Sequence, residues 1–434
     1  MKTLRYDQVD FDRAVAEACA ASSLFDPEIE RRVDAIIDDV RVRGDVAVAE
    51  LTERHDRVKL APEQFPVTSP APKVDAKLRR AIGAALKNIS AFARRSLRED
   101  WRMRNAQGAS VGEKFEPFGR VGIYVPGGTA PLVSSALMTI TLAKVAGCRE
   151  IVVCTPPPVN PNLLYAIRIA GATEIYQGNG VALVAALGLG TGRIPRVQKI
   201  FGPGNAYVVA AKRRLFGYVA IDLLPGPSEL LVLADDSANP SFVAADMLAQ
   251  AEHGSGHERV WLVSSSPRLV LETQQEIQHQ LAPLKRREFI ERTLANGGVL
   301  VLARDLNQGV AITNQFAPEH CEVVTKNPGA VVKKIKTAGA IFAGPWSPTV
   351  VGDYLAGPSH ELPTGGAGRS FAGLTVDQFQ RRTSIVELSR NSLEKSLPAL
   401  EALGTVEGLD AHVASARIRF AEANSFRGRG GARE

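Results

Sequence analysis

The chain predicts an α/β fold: two successive doubly wound, Rossmann-like parallel-sheet units, with a helical region before them and a helical tail after. Three observations predict it. Short apolar runs alternate with helical stretches in repeats of roughly thirty residues from Arg120 to Phe342, the pattern of strands joined by crossover helices. Glycine and proline turns punctuate the alternation, as at Pro126-Gly127-Gly128 and Gly202-Pro-Gly204. The length, 434 residues, exceeds what one hydrophobic core usually serves.

Residues 10 to 100 read as helices. Asp26-Pro-Glu opens a run in which Val33, Ile36, Ile37, Val40 and Val42 recur at near-helical spacing, and Gly44 closes it. A second run, Lys73 to Trp101, carries Leu78, Ile82, Leu86, Ile89 and Phe92 on one stripe. The pattern changes at Arg120. Strands are expected at 121–125, 150–155, 174–176, 199–201 and 219–221, with a helix from Ser134 to Val145. The alternation restarts with strands at 229–234, 260–263, 298–302, 321–324 and 340–342. From about Leu374 the chain returns to helix, clearest at 391–402 and 409–424, and the last eight residues look disordered. The expected domains are 1–114, helical; 115–228, the first sheet unit on the dinucleotide side; 229–373, the second, with most of the metal and catalytic residues; and 374–434, a helical tail docking on a partner subunit.

Composition narrows the class. The apolar fraction is 45% and the charged fraction 23%, ordinary for a globular protein. Net charge is 52 − 46 = +6, part of it in Arg427, Arg429 and Arg433, so the folded body is nearer neutral and makes a poor nucleic-acid footprint. Cys19, Cys148, Cys154 and Cys321 are scattered without a CxxC pair, which argues for a reducing compartment and against a disulfide framework or thiolate zinc site. The N-terminus has no apolar signal region, and no window has the eighteen or so uninterrupted apolar residues that a membrane span needs. A cytoplasmic protein without membrane partners is expected.

Four of the seven histidines fall in four suggestive segments. In Asp246-Met-Leu-Ala-Gln-Ala-Glu-His253, helical spacing puts Gln250 and His253 on one face, half of a metal site, with Gly254 as the helix stop. Ala317-Pro-Glu-His320 pairs a carboxylate with an imidazole that titrates near neutrality. Gly352-Asp353 to Ser359-His360 is a glycine-rich loop with one of each, and Gly408-Leu-Asp-Ala-His412 carries the fourth histidine. Singly, each also reads as an ordinary turn or surface group. Together Gln250, His253, Asp353 and His412 make a set of hard and borderline donors that suits zinc, with manganese or cobalt also possible. Tyr124 to Gly128 and Gly202-Pro-Gly-Asn205 end strands where a doubly wound sheet gathers ligands, and the second opens a helix whose free N–H groups could meet a pyrophosphate.

Taken in order, these stretches resemble the histidinol dehydrogenase family over residues 10 to 420. The resemblance rests on Arg120-Val-Gly-Ile-Tyr-Val-Pro-Gly-Gly128, Lys144-Val-Ala-Gly147, Gly202-Pro-Gly-Asn205, Gly226-Pro-Ser-Glu229, Gln250-Ala-Glu-His253, Ala317-Pro-Glu-His320, Gly352-Asp-Tyr-Leu-Ala-Gly357 and Glu407-Gly-Leu-Asp-Ala-His412. It implies a zinc-dependent, four-electron oxidation of L-histidinol to L-histidine through a bound aldehyde, with two NAD⁺ reduced. It further implies a homodimer with one Zn²⁺ per subunit, held by Gln250, His253 and Asp353 of one chain and His412 of the other. His320 is then the general base and Glu319 the activator of water. Ser134, Ser228, His360 and Glu407 match substrate-contacting positions alongside the four metal ligands, Glu407 reaching over from the partner, and Tyr124 and Asn205 match positions that touch the dinucleotide.

Two departures stand out. Ala182 occupies a position where the family has a Gln that contacts NAD. Thr349 stands where the family usually has a Glu that holds the substrate's amino group, so a paralogue acting on another amino alcohol or diol is the alternative. A zinc hydrolase, with Glu319 activating metal-bound water and no dinucleotide, is a different class, and the two strand–helix units argue against it.

Overall fold

The computed structural model describes residues 1–20, 26–127, 131–253 and 256–421. Gly128, Gly254, residues 422–424 and the arginine-glycine tail, all of which figure in the sequence expectations, lie outside them. The described chain divides into two compact units, 1–97 with 118–379, and 98–117 with 380–434.

The first unit contains both expected parallel sheets. One has five strands in the order β6–β5–β4–β7–β8: β4 (Arg120–Tyr124), β5 (Glu150–Thr155), β6 (Glu174–Gln177), β7 (Lys199–Phe201) and β8 (Ala220–Ile221). The other has six, β1–β11–β10–β9–β12–β13: β1 (Lys2–Arg5), β9 (Glu229–Ala234), β10 (Arg259–Ser264), β11 (Gly298–Leu302), β12 (His320–Val324) and β13 (Ala340–Ala343). Every residue of β9 is buried, as a central strand covered on both faces requires. Many crossover helices start alike. Asp26, Asn160, Asn239, Ser266 and Asn327 each cap a helix whose first residue is proline, and each side chain accepts one or two N–H groups of the first turn.

Three expectations fail locally. Lys2–Arg5, not assigned to any element, pairs with β11 as the edge of the six-stranded sheet. The helix expected through Trp101 runs Ala76–Ser96, and Trp101–Arg104 is instead strand β2. The helical tail begins with a strand, β14 (Gln380–Glu387), antiparallel to β3 (Ser110–Pro117), which pairs on its other edge with β2. The expected boundary at 114 therefore cuts through β3. This antiparallel sheet, with the helices Arg390–Glu407 and Asp410–Ala421, forms the second unit. All four β2 side chains are exposed and β14 reads Gln-Arg-Arg-Thr-Ser-Ile-Val-Glu, so neither shows the buried alternation that identifies strands.

Candidate active site

The densest cluster of functional groups lies where β9 and β12 begin. These neighbours pair in parallel with His320 opposite Leu230. Ser228 precedes β9 and Glu229 is its first residue; Glu319 precedes β12 and His320 is its first residue. The chain enters β12 through Ala317, a non-glycine residue in the left-handed region at φ 47°, a costly conformation that tends to be kept at functional sites. This is the amino edge of the six-stranded sheet. Tyr124 and Asn205, by contrast, lie at the carboxyl edge of the five-stranded one, where ligands were expected throughout.

Glu319 and His320 are nearly buried, and the start of β9 fixes both. The Ser228 hydroxyl and the Glu229 N–H donate to Glu319 Oε2, at 2.6 and 2.8 Å. His320 Nδ1–H donates to the Glu229 carbonyl at 3.0 Å, so Nε2, 3.8 Å from Asp353 Oδ1, is the nitrogen that carries the lone pair whenever the ring is neutral. His360 is neutral: burial pulls its pKa down. Its Nδ1–H donates to the Asp353 carbonyl at 3.1 Å, and its Nε2 accepts from Ser135 Oγ at 2.9 Å. Both ring nitrogens are thus used within the protein, and a substrate hydrogen bond to His360 has to displace Ser135. It is Ser135, buried, that reaches His360; Ser134 beside it is half-buried. A cavity of about 280 Å³ opens on the cluster, lined by His320, Phe342, Gly352, Ser359, His360 and Leu362. A larger concavity of about 440 Å³, between Arg196 and Tyr218, has no carboxylate or histidine in its lining.

The electrostatics are those of crowded carboxylates. Burial lowers the His320 pKa, but Glu319 and then Asp353 outweigh it and lift it to about 9. Burial, and then the Glu319 charge, push Glu229 up to about 7. One Glu229 oxygen accepts from the Gly365 N–H at 3.0 Å, while the other is buried without a partner.

Gln250 lies in the last turn of the helix Pro240–Ala251, and His253 follows in the turn beyond. His253 Nδ1–H donates to the Gln250 carbonyl at 3.1 Å, leaving Nε2 as the free donor nitrogen. The Gln250 side chain is 3% exposed, and its Nε2 has no partner. This helix packs against the short helix Thr349–Tyr354, which carries Asp353. Glu252 and Asp353 both raise the Tyr354 pKa, after burial, so the two helix ends are close. Among the described residues, no three His, Cys, Asp or Glu side chains are grouped to hold an ion. His412 and Glu407 are exposed on the helices of the second unit.

On the dinucleotide side, Asn205 Oδ1 accepts from the N–H groups of Tyr207 and Val208. The helix start that was expected to offer free donors to an anion is therefore capped. Tyr124 is buried against Gly180, where any Cβ would come within 2.6 Å of its hydroxyl. Ala182 is fully buried, its N–H taken by Asn179.

Sequence reasoning missed Ser135, Glu229 and Glu322. Glu229 hides as the first letter of an apolar run, Glu-Leu-Leu-Val-Leu; the signal that could have found it is a carboxylate opening a strand with no polar face.

Fold and cluster define a class: a doubly wound α/β protein in which a buried carboxylate–imidazole pair opens a strand of the larger sheet. The comparisons make it specific. The histidinol dehydrogenase family model matches residues 20–420. The histidinol dehydrogenase of Syntrophotalea carbinolica is 41% identical over 428 residues, 97% of this chain and 99% of that protein. That of Geobacillus kaustophilus is 42% identical over 402 residues, 91% and 94% of the two chains. The crystal structure of histidinol dehydrogenase from Elizabethkingia anophelis superposes with a TM-score of 0.93 at 31% identity, covering 98% of this chain and 99% of that one. The chain belongs to the histidinol dehydrogenase family, oxidoreductases of histidine biosynthesis that act on histidinol.

Proposed function

We propose that this chain carries out the full four-electron oxidation, L-histidinol to L-histidine through a bound aldehyde, with two NAD⁺ reduced and one divalent metal, zinc by preference, per site. The observation that carries the reading is the joint fixing of Glu319 and His320 by the start of β9: one residue pair clamps the water-side carboxylate and selects the histidine tautomer.

The donors fit a metal. Gln250 offers a buried side-chain amide oxygen, His253 an Nε2 not used by the Gln250 carbonyl contact, and Asp353 a carboxylate on the helix packed beside them. One chain then supplies a single histidine and a single carboxylate, and the fourth donor is assigned to His412 of a second copy in a homodimer. Bound there, the cation would hold the substrate's imidazole and amino nitrogens between the two oxidations and would offset the Asp353 charge that otherwise helps keep His320 protonated.

This chain's own groups then divide the proton work. His320 Nε2 takes the alcohol proton as the first hydride leaves, its ring held by the Glu229 carbonyl. Glu319, with Oε2 tied to Ser228 and Glu229, takes a proton from the water that adds to the aldehyde. Ser228, Asp353 on its short helix and His360 on the loop that follows line the substrate, with Ser134 and the partner subunit's Glu407 completing the contacts. Tyr124 and Asn205 face the dinucleotide, and Ala182, fully buried, offers it no side-chain contact. All four cysteines are free thiols, and no described helix is long and apolar enough to cross a membrane; a cytoplasmic location belongs to this reading.

Steady-state assay of the purified protein tests it. Two NADH per L-histidinol, lost after chelation and regained with zinc, is expected. One NADH per turnover, or turnover only with other amino alcohols, overturns it.

A further inference from the structure

Behind the site lies a second, buried group of polar residues that the proposed reaction does not use. Thr349 donates twice to Glu322 Oε1, through its N–H at 2.8 Å and its hydroxyl at 2.7 Å. Glu322 is 1% exposed and its other oxygen, Oε2, is buried with no hydrogen-bond partner. The Asp246 carboxyl stands close enough to that of Glu322 to raise the latter's pKa. Two carboxylates so placed do not both stay charged; one proton between them satisfies the orphaned oxygen and leaves a single negative charge. Burial, and then the neighbouring carboxylate, lift Glu322 to about 8, which agrees with a shared proton at neutral pH.

The placement is systematic. Asp246 is one helical turn before Gln250 on the same helix, and Thr349 is one turn before Asp353 on another. Glu322 is two residues after His320, on the same face of β12. Each member therefore stands directly behind one proposed ligand or the proposed base, on the element that carries it. Thr349 also turns its hydroxyl inward to Glu322, so at this position the chain supports the site from behind and offers the substrate's amino group nothing.

We infer that Asp246, Glu322 and Thr349 form one hydrogen-bonded brace that locks the elements bearing Gln250, His320 and Asp353 into mutual register, making all three positioning residues for the reaction. The inference rests on the proposed function for what is positioned, and on the geometry for the brace itself. A rigid support of this kind is what keeps ligand and base within the few tenths of an ångström that such sites tolerate.

Thr349→Val keeps the shape and removes the hydroxyl donor; Thr349→Ser restores it. In the full-length protein, Thr349→Val is expected to weaken zinc binding in chelator competition by about tenfold. It should lower kcat with little change in KM for histidinol, and melt cooperatively. Thr349→Ser is expected within about twofold of the parent. Crystal structures of both give a readout independent of zinc and activity: the valine variant should displace the Asp353 carboxylate by about 0.5 Å or more, and the serine variant should not. If the parent protein holds no zinc, the metal reading fails, and the brace stands or falls on that displacement. An undisplaced Asp353 in the valine variant, or a serine variant as impaired as the valine one, overturns the inference.

Discussion

Glu319 and Gln differ by one ionisable oxygen, and on the proposed function that difference separates the two halves of the reaction. Glu319→Gln keeps an acceptor for Ser228 and Glu229 but cannot take a proton from water. It should slow aldehyde oxidation by about 10²–10⁴-fold and spare the alcohol step, read by single-turnover NADH formation from each substrate; equal losses would remove Glu319 from the water step. A second carboxyl, Glu361, responds to pH. Burial first, and then Asp222, raise its pKa well above the ordinary range, against the pull of Lys212. Below the unfolded value, near 4.3, both states are protonated and folding is unpenalised. As pH rises past it, only the unfolded chain gives up the proton, so stability drains by about 1.4 kcal/mol per pH unit until the folded pKa is reached. Glu361→Gln should therefore gain melting temperature over the parent, by a margin that widens as pH rises above about 5. A constant margin would mean that Glu361 ionises normally. At this scale the sequence was informative where residues recur in motifs: Glu319, His320, Asp353 and His360 do meet. Ser135 and Glu229 act through neighbours across 225 and 90–91 residues of chain, and such contacts leave no local pattern.

Elements were legible wherever burial imposed a period. The parallel strands announced themselves because both faces are covered and the runs are continuously apolar. The β2–β3–β14 sheet did not, since charged side chains there satisfy either a strand or a helix. The glycine turn after β7 was read as an anion cradle, but its geometry has another cause. Gly202 sits at φ +109°, and a Cβ there would collide with the Tyr124 carbonyl oxygen. Its N–H donates to Asp222 Oδ2 at 2.7 Å and its carbonyl accepts from Lys212 Nζ at 2.8 Å. Lys212 and Asp222 are themselves a fully buried ion pair. This clamp joins the ends of β7 and β8 to the helix Ala206–Leu215 beneath the proposed dinucleotide positions. Lys212→Met strands a buried carboxylate and should cost about 3–5 kcal/mol in urea denaturation, part of which Asp222→Asn, added to it, should recover. A loss under about 1 kcal/mol would show the pair to be incidental.

At the scale of the whole molecule, the proposed site is incomplete in one chain by its chemistry. Under the proposal Gln250, His253 and Asp353 would come from one chain, and His412 and Glu407, which belong to the second unit, from the other. If the second unit serves its own chain, every His320→Ala or His412→Ala chain is dead, and mixing the two changes nothing. If it serves a partner, a mixed dimer has one ruined site, lacking both His320 and His412, and one site in which an intact His320 meets the other chain's intact His412. Random reassociation of equal amounts makes half the dimers mixed, and each holds one working site of two, so about a quarter of parental activity should return. The assay needs subunit exchange, which dilution followed by reconcentration of the two inactive proteins supplies. Zinc follows a different arithmetic: His412→Ala alone should lose the metal and His320→Ala alone retain it, while the mixture holds the average of the two whichever chain His412 serves, so recovered activity alone separates the two cases. Recovery near zero with demonstrated mixed dimers would move His412 out of the shared site, because nothing else in the scheme depends on which chain supplies it.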